Sequence, residues 1–369
     1  MKTGFVWNER YMWHNTGNAA GIMAAGYDVQ PFEHADGPET KRRIKNLLDA
    51  TGMTKHLVPI DAVALEREAI ERVHTDQYIS KLEALDETGG EAGPFVPMGR
   101  GSYSIARLAS GGLVELVKNV MEGVVDNGYA LIRPAGHHAE PDQGIGFCLI
   151  NNAAIAAKYA QKHYGLKRIA FVDWDVHHGN GAEAIFLEDP SVLTVSVHQD
   201  RCFPPNTGFF QEQGREAGEG YNWNFPLPPG TGDQTYIALL EETVVPLLRA
   251  YKPELIIVPC GFDAGIFDPL GRQCVTSYGF RHLTRIMMAA AAELCDGKLV
   301  FCHEGGYNAS TVPYHGLAVM EELSGKDSGM DDPFLEIHQS MGGADIQPHH
   351  RALLDKWHKV MTEVTANWD

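Results

Sequence analysis

The chain has 369 residues, 44% of them hydrophobic, and a formal net charge of -18, which supplies a large core and disfavours direct nucleic-acid binding, since that needs backbone phosphates neutralised. It carries neither a basic n-region with an apolar signal stretch nor an apolar run able to span a bilayer, so a cytoplasmic protein without membrane attachment is expected. Its six cysteines, Cys148, Cys202, Cys260, Cys274, Cys295 and Cys302, lack CxxC spacing, which excludes a structural zinc cluster and a disulfide framework.

In chain order, residues 1–40 hold aromatics at Tyr11, Trp13 and Tyr27, glycines at Gly17, Gly21 and Gly26, and histidines at His14 and His34. The basic run from Lys41 to Lys45 reads as a helix with a solvated face. An apolar strand from Tyr129 to Ile132 runs into RPAGHHAE, with His137 and His138. A helix is predicted over Asn151 to His163, closed by Gly165. The strand Arg168 to Val172, RIAFV, runs directly into DWDVHHGNG. In an extended segment Asp173, Asp175 and His177 share one side while Trp174 and Val176 anchor the other. Gly179, Asn180 and Gly181 suit a tight turn into a helical segment, Ala182 to Glu188. A helix over Gln234 to Tyr251 precedes Pro253 and the strand Glu254 to Cys260, which ends in GFDAG with Asp263. The helix Ser277 to Leu294 leads to the strand Leu299 to Cys302 and then HEGGYN, with Glu304, Gly305, Gly306 and Tyr307. After the helix Val312 to Leu323, the tail from Ser324 reads as exposed loop before an amphipathic segment, Arg351 to Thr362.

Four apolar strands thus end in His, Asp, Glu or Tyr, and the carboxyl end of a strand in an open α/β sheet is where ligands bind. Asp175, His177 and Asp263 offer two oxygens and a nitrogen and leave a position open for water or substrate. That set suits zinc or another first-row divalent ion, iron included. Helices alternating with strands predict an α/β fold. No linker or low-complexity break appears, so residues 1–369 are expected to form one domain.

PAGHHA, DWDVHHGNG, GFDA and EGGYN, in this order, resemble the zinc-dependent histone deacetylase superfamily, and in particular the bacterial class II histone-deacetylase-like amidohydrolases. The resemblance runs from about Gly4 to about Leu323. It implies the arginase-deacetylase fold, a central, mostly parallel sheet with helices on both faces. It also implies hydrolysis of an acylated amine, N-acetyl-lysine or a related compound, to free amine and acetate. By the same resemblance His137 and His138 lie beside the attacking water, with Asp173 orienting His137 and Asn180 partnering His138, where some relatives carry an acid. A neutral amide partner favours an uncharged imidazole, which points to His138 as the proton shuttle and leaves the division of labour between the two open. The resemblance also implies that Tyr307 donates to the oxyanion. Phe147, Phe203 and Leu270, with Gly146, Gly305 and Gly306, match the substrate tunnel.

Two alkali-ion sites for K+ or Na+ are implied, one at Asp173, Asp175, His177, Ser196 and Val197, the other at Phe186, Asp189, Val192 and Tyr221. Residues 1–40 resemble an extended loop region near the pocket entrance, residues 325–369 form a C-terminal tail and helix, and relatives of this kind include homotetramers, so a homo-oligomer is expected. An acetylpolyamine amidohydrolase shares the site, and Leu270, at a position that is glutamate in a polyamine-selective relative, argues against that mode. A ureohydrolase of the same fold would require more Asp and His ligands than this chain supplies. A reader that binds acyl-lysine without turnover also stays open.

Overall fold

The computed structural model describes residues 1–24, 26 and 29–368, so Tyr27 lies outside the described residues. Eight parallel strands form the central sheet: β1 Thr3–Val6, β2 Leu57–Ile60, β3 Asn127–Ala130, β4 Ile169–Asp173, β5 Val192–Gln199, β6 Asn222–Leu227, β7 Leu255–Cys260 and β8 Leu299–His303. Their spatial order is β6-β5-β4-β7-β8-β3-β1-β2. The four strands whose ends carry the polar motifs, β4, β7, β8 and β3, are therefore neighbours at the centre.

Period-two alternation divides the core between the faces of the sheet. On β4, Ala170 and Val172 join Trp174 and Val176 on one side, with Phe280, Leu283, Leu317 and Trp357. These come from helices Ser277–Leu294, Val312–Ser324 and Pro348–Thr365. Ile169 and Phe171 face the other side, packed with Leu113, Val117 and Ile155 of helices Ser102–Met121 and Asn152–Tyr164. The α/β architecture with helices on both faces is thus observed. Gly165 ends its helix at φ 70°, the left-handed conformation that glycine adopts without strain. Among the described residues no helix is long and apolar enough to cross a membrane.

Two expectations are corrected. The tail after Ser324 is not all exposed loop, because it forms a short helix, Leu335–Ser340, with His338 buried. The solvated face expected for Lys41–Lys45 fails at Lys41. In the helix Glu39–Ala50, which we label α1, Lys41 falls on the inner side with Ile44 and Leu48, three and seven residues on.

The Lys41 side chain is 2% exposed, and its Nζ lies 2.9 Å from Asp36 Oδ1. Asp36 also meets Arg133, Nε to Oδ2 3.4 Å, with that guanidinium fully buried. Burial opposes the Asp36 charge, but Arg133 and Lys41 overcome it and hold the carboxyl well below the usual range. Its contribution is present above the unfolded value of about 4 and is lost as the pH falls toward the native one. Asp36→Asn would leave two buried cations uncompensated and is expected to lower the unfolding free energy by about 3–5 kcal/mol, measured by urea denaturation at neutral pH.

Candidate active site

Beyond Asp173 the chain leaves the sheet, and Trp174 and Val176, both fully buried, pin it so that Asp175 and His177 turn toward Asp263 beyond β7. His177 Nδ1 lies 3.0 Å from Asp175 Oδ1 and 3.2 Å from Asp263 Oδ2. The three side chains offer donor atoms within 4.8 Å of one another, all buried. Backbone amides fix the rest of each carboxylate: Val176 N–H donates to Asp263 Oδ1 at 2.8 Å and Gly305 N–H to Asp175 Oδ2 at 2.8 Å. His177 Nδ1 at 3.2 Å is not aligned for a hydrogen bond to Asp263 Oδ2, which has no other donor, and this is costly for a buried oxygen unless a cation meets it. A Cβ at residue 305 would lie 1.9 Å from that oxygen, so only glycine leaves the space open. Burial, then the Asp175 charge, pushes the Asp263 carboxyl up to about 6. The donor set fits a divalent cation on orphaned atom, cradle and charge alike.

A second close group, His137, Cys148 and Glu304, does not. There His137 Nδ1 is engaged by Asp173 Oδ2 at 2.9 Å, and Glu304 Oε2 accepts from the N–H groups of Gly136 and His137. Burial pushes the Cys148 thiol well up.

The two imidazoles stand in different surroundings although their ring centroids are 3.9 Å apart. Burial works against a charge on His137, but Asp175 and Asp173 overcome it and raise the group to about 10 in the metal-free chain. Burial, then the charges of His137 and His177, holds His138 well below the usual histidine range. Asn180 fixes its tautomer. The amide Nδ2 of Asn180 donates to Glu140 Oε1 at 2.8 Å, which leaves Oδ1 to accept from His138 Nδ1 at 2.7 Å. Nε2 of a neutral His138 then carries the free lone pair. Glu140, within the RPAGHHAE string, escapes sequence reasoning because its part is played through Asn180.

A cavity of about 160 Å³ opens beside these groups, and its wall includes His138, His177, Phe147, Phe203, Leu270 and Tyr307. Phe95, Ile22 and Cys202 also line it. Of these, Phe95 is new, and the signal that could have found it is the one that marks Phe203, an aromatic in a loop rich in glycine and proline. The two rings lie 6.0 Å apart, edge to face. Gly146 is forced by space, because a Cβ there would stand 2.6 Å from Phe203 and 2.7 Å from His138. Gly306 has φ 126°, which lets the backbone turn sharply ahead of Tyr307. The Tyr307 ring packs edge-on to Phe147 at 5.8 Å and lies 5.4 Å from Lys41 Nζ.

His178 points away from the cavity, Nε2 to Glu183 and Nδ1 to Thr207, each at 3.0 Å. Ser196 pairs in register with Asp173, and its hydroxyl accepts from Gly179 N–H, which places the first proposed alkali-ion set in one region with buried Val197. In the second set, the carbonyls of Phe186, Asp189 and Tyr221 accept from Asp189, Val192 and Thr194, and the Asp189 carboxylate meets Lys158 at 2.8 Å.

Residues 34–323 match the family model described as a histone deacetylase domain. A histone deacetylase-like amidohydrolase of Pseudomonas aeruginosa is 44% identical over 345 residues, 92% of this chain and 91% of that protein. A probable deacetylase of Archaeoglobus fulgidus is 35% identical over 89% of this chain and 88% of its own length. The crystal structure of the HDA15 HD domain superposes with a TM-score of 0.85 at 31% identity, covering 99% of this chain and 98% of that one.

Proposed function

Because the chain belongs to the histone deacetylase family, and is a deacetylase of the amidohydrolase type, we propose that it removes acetyl groups from N-acyl-lysine or a similar acylated amine. The carrying observation is that one cavity wall carries His138, the phenol of Tyr307 and His177, the last of these a member of the buried cation-fitting set with Asp175 and Asp263. Asp175, His177 and Asp263 would hold a zinc or iron(II) ion, which when bound polarises the acyl carbonyl and makes water acidic.

The side chains divide the remaining work. His138 Nε2 accepts the proton of the attacking water as its oxygen bonds to the carbonyl carbon. Tyr307 donates its O–H to the carbonyl oxygen as negative charge gathers there. His138 then returns the proton to the nitrogen as the C–N bond breaks, releasing the amine and acetate. His137 is held in place by Asp173 at 2.9 Å beside His138. The phenylalanines and Leu270 hold the aliphatic stem and exclude water.

Among the described residues no carboxylate lines the cavity, and this supports a neutral stem over a polyamine. The test is a side-by-side kcat/KM comparison of acetyl-lysine peptides, acetylspermidine, acetylputrescine and longer acyl-lysines on enzyme of verified metal content. The peptides are expected to lead, and Leu270→Glu is expected to move the preference toward the polyamines. A wild-type preference for acetylpolyamines would move the assignment to that class, and binding of the peptides without turnover would make the chain a reader.

A further inference from the structure

We propose that Asp268 is a positioning residue that ties the tunnel wall to the oxyanion donor, an inference that rests on the deacetylase reading above. Asp268 is 7% exposed, and each carboxylate oxygen takes a different partner. Oδ2 accepts from the backbone N–H of Tyr307 at 2.7 Å, and Oδ1 accepts from that of Leu270 at 2.9 Å. The bond to Leu270 closes a turn within its own loop, and a loop brace would do no more. Asp268 instead reaches 39 residues along the chain.

The need for such a tie lies in the backbone leading to Tyr307. Gly305 and Gly306 are required by close approach and by a positive φ, yet two adjacent glycines leave the following residue poorly defined. The segment is pinned at one end by Gly305 N–H on Asp175. At the other, Asp268 holds Tyr307 itself. The loop that delivers Asp268 is braced in turn. Phe267 takes φ 68°, a left-handed conformation that a bulky side chain adopts only under constraint, and Asn308 Nδ2 donates to its carbonyl at 2.9 Å. On the far side the Leu270 carbonyl accepts from Cys202 Sγ at 3.6 Å. A substrate stem that seats against Leu270 therefore bears, through one carboxylate, on the residue that sets the phenol.

Asp268→Asn keeps the shape but can accept only one of the two N–H groups and turns its NH2 against the other. Expected is a fall in kcat of about 10- to 100-fold, as for partners that orient a functional group, with KM for an acetyl-lysine peptide changed by about twofold or less and metal content unchanged. In a Tyr307→Phe background the same substitution is expected to cost less than about threefold, because the group it positions is already gone. Equal losses in both backgrounds, no loss in either, or a loss that follows the metal content would overturn the proposal.

If Asp268→Asn does not fold, Asn308→Ala loosens the same loop more gently, and the same dependence on Tyr307 is expected, with full additivity counting against it. A readout free of turnover is the ring-carbon resonance of Tyr307 in ¹³C-tyrosine-labelled protein, assigned by its disappearance in Tyr307→Phe. It should shift in Asp268→Asn, and an unmoved resonance would overturn the tie. Wild-type enzyme inert toward the peptide would overturn the acyl-lysine reading alone, leaving the resonance to decide Asp268.

Discussion

Tyr307→Phe is expected to lower kcat by about 10²- to 10³-fold, some 2.7–4 kcal/mol of transition-state stabilisation, the loss typical of removing one aligned donor from a forming oxyanion. KM should barely move, because the hydroxyl contributes when the carbonyl oxygen takes on charge and little before. The ring contacts survive the substitution: Phe147 edge-on at 5.8 Å and Lys41 Nζ at 5.4 Å from the centroid involve carbon, so the fold should be unaffected. Burial, then the carboxylates of Asp263 and Asp175, pushes the phenol well up, which keeps it protonated as a donor at neutral pH. Steady-state kinetics on wild type and variant of equal metal content decide the matter, and equal turnover would remove Tyr307 from this role.

Metal removal should have a larger effect. The purified protein is expected to hold about one divalent transition ion per chain, and chelation should lower turnover by about 10³-fold or more, since carbonyl polarisation alone is worth several kcal/mol. Re-addition of zinc or iron(II) should restore it. Asp263→Asn replaces one donor oxygen of the three-residue set by an amide, and elemental analysis of this variant should find the ion depleted while circular dichroism reports an intact fold. Full metal content in Asp263→Asn would place the ion elsewhere; none in wild type with all three ligands intact would sink the mechanism.

Much of this site is written in short strings, because an apolar run followed at once by His, Asp or Tyr marks the end of a buried parallel strand. The strands Asn127–Ala130, Ile169–Asp173, Leu255–Cys260 and Leu299–His303 are visible that way, with boundaries off by a residue or two. The four other strands of the central sheet are not. Thr3–Val6 and Leu57–Ile60 are four residues each, too short for a period, and Asn222–Leu227 carries two asparagines and a proline that read as turn. Ser102–Met121 is a buried helix disguised by glycines. Gly111 is needed because a Cβ there would stand 1.7 Å from the Val63 carbonyl oxygen, a contact no local pattern reveals. Glu140 and Asp268 were missed for a related reason. Each acts on a neighbour set beside it by the fold, on Asn180 and on two backbone amides, and such work leaves no composition or spacing behind.

The contiguity of β4, β7, β8 and β3 has a bearing on how the protein matures. Each parallel neighbour is reached only through a crossover, so the donors that meet in space are far apart along the chain, and closing such loops is slow compared with local structure. Asp175 and His177 follow β4, Asp263 follows β7, and the glycine that leaves room for their ion follows β8, the last strand to be synthesised. No partial sheet presents the full set. Ion uptake would therefore report the end of folding, and an ion that binds the native chain in preference to the unfolded one would draw late intermediates forward.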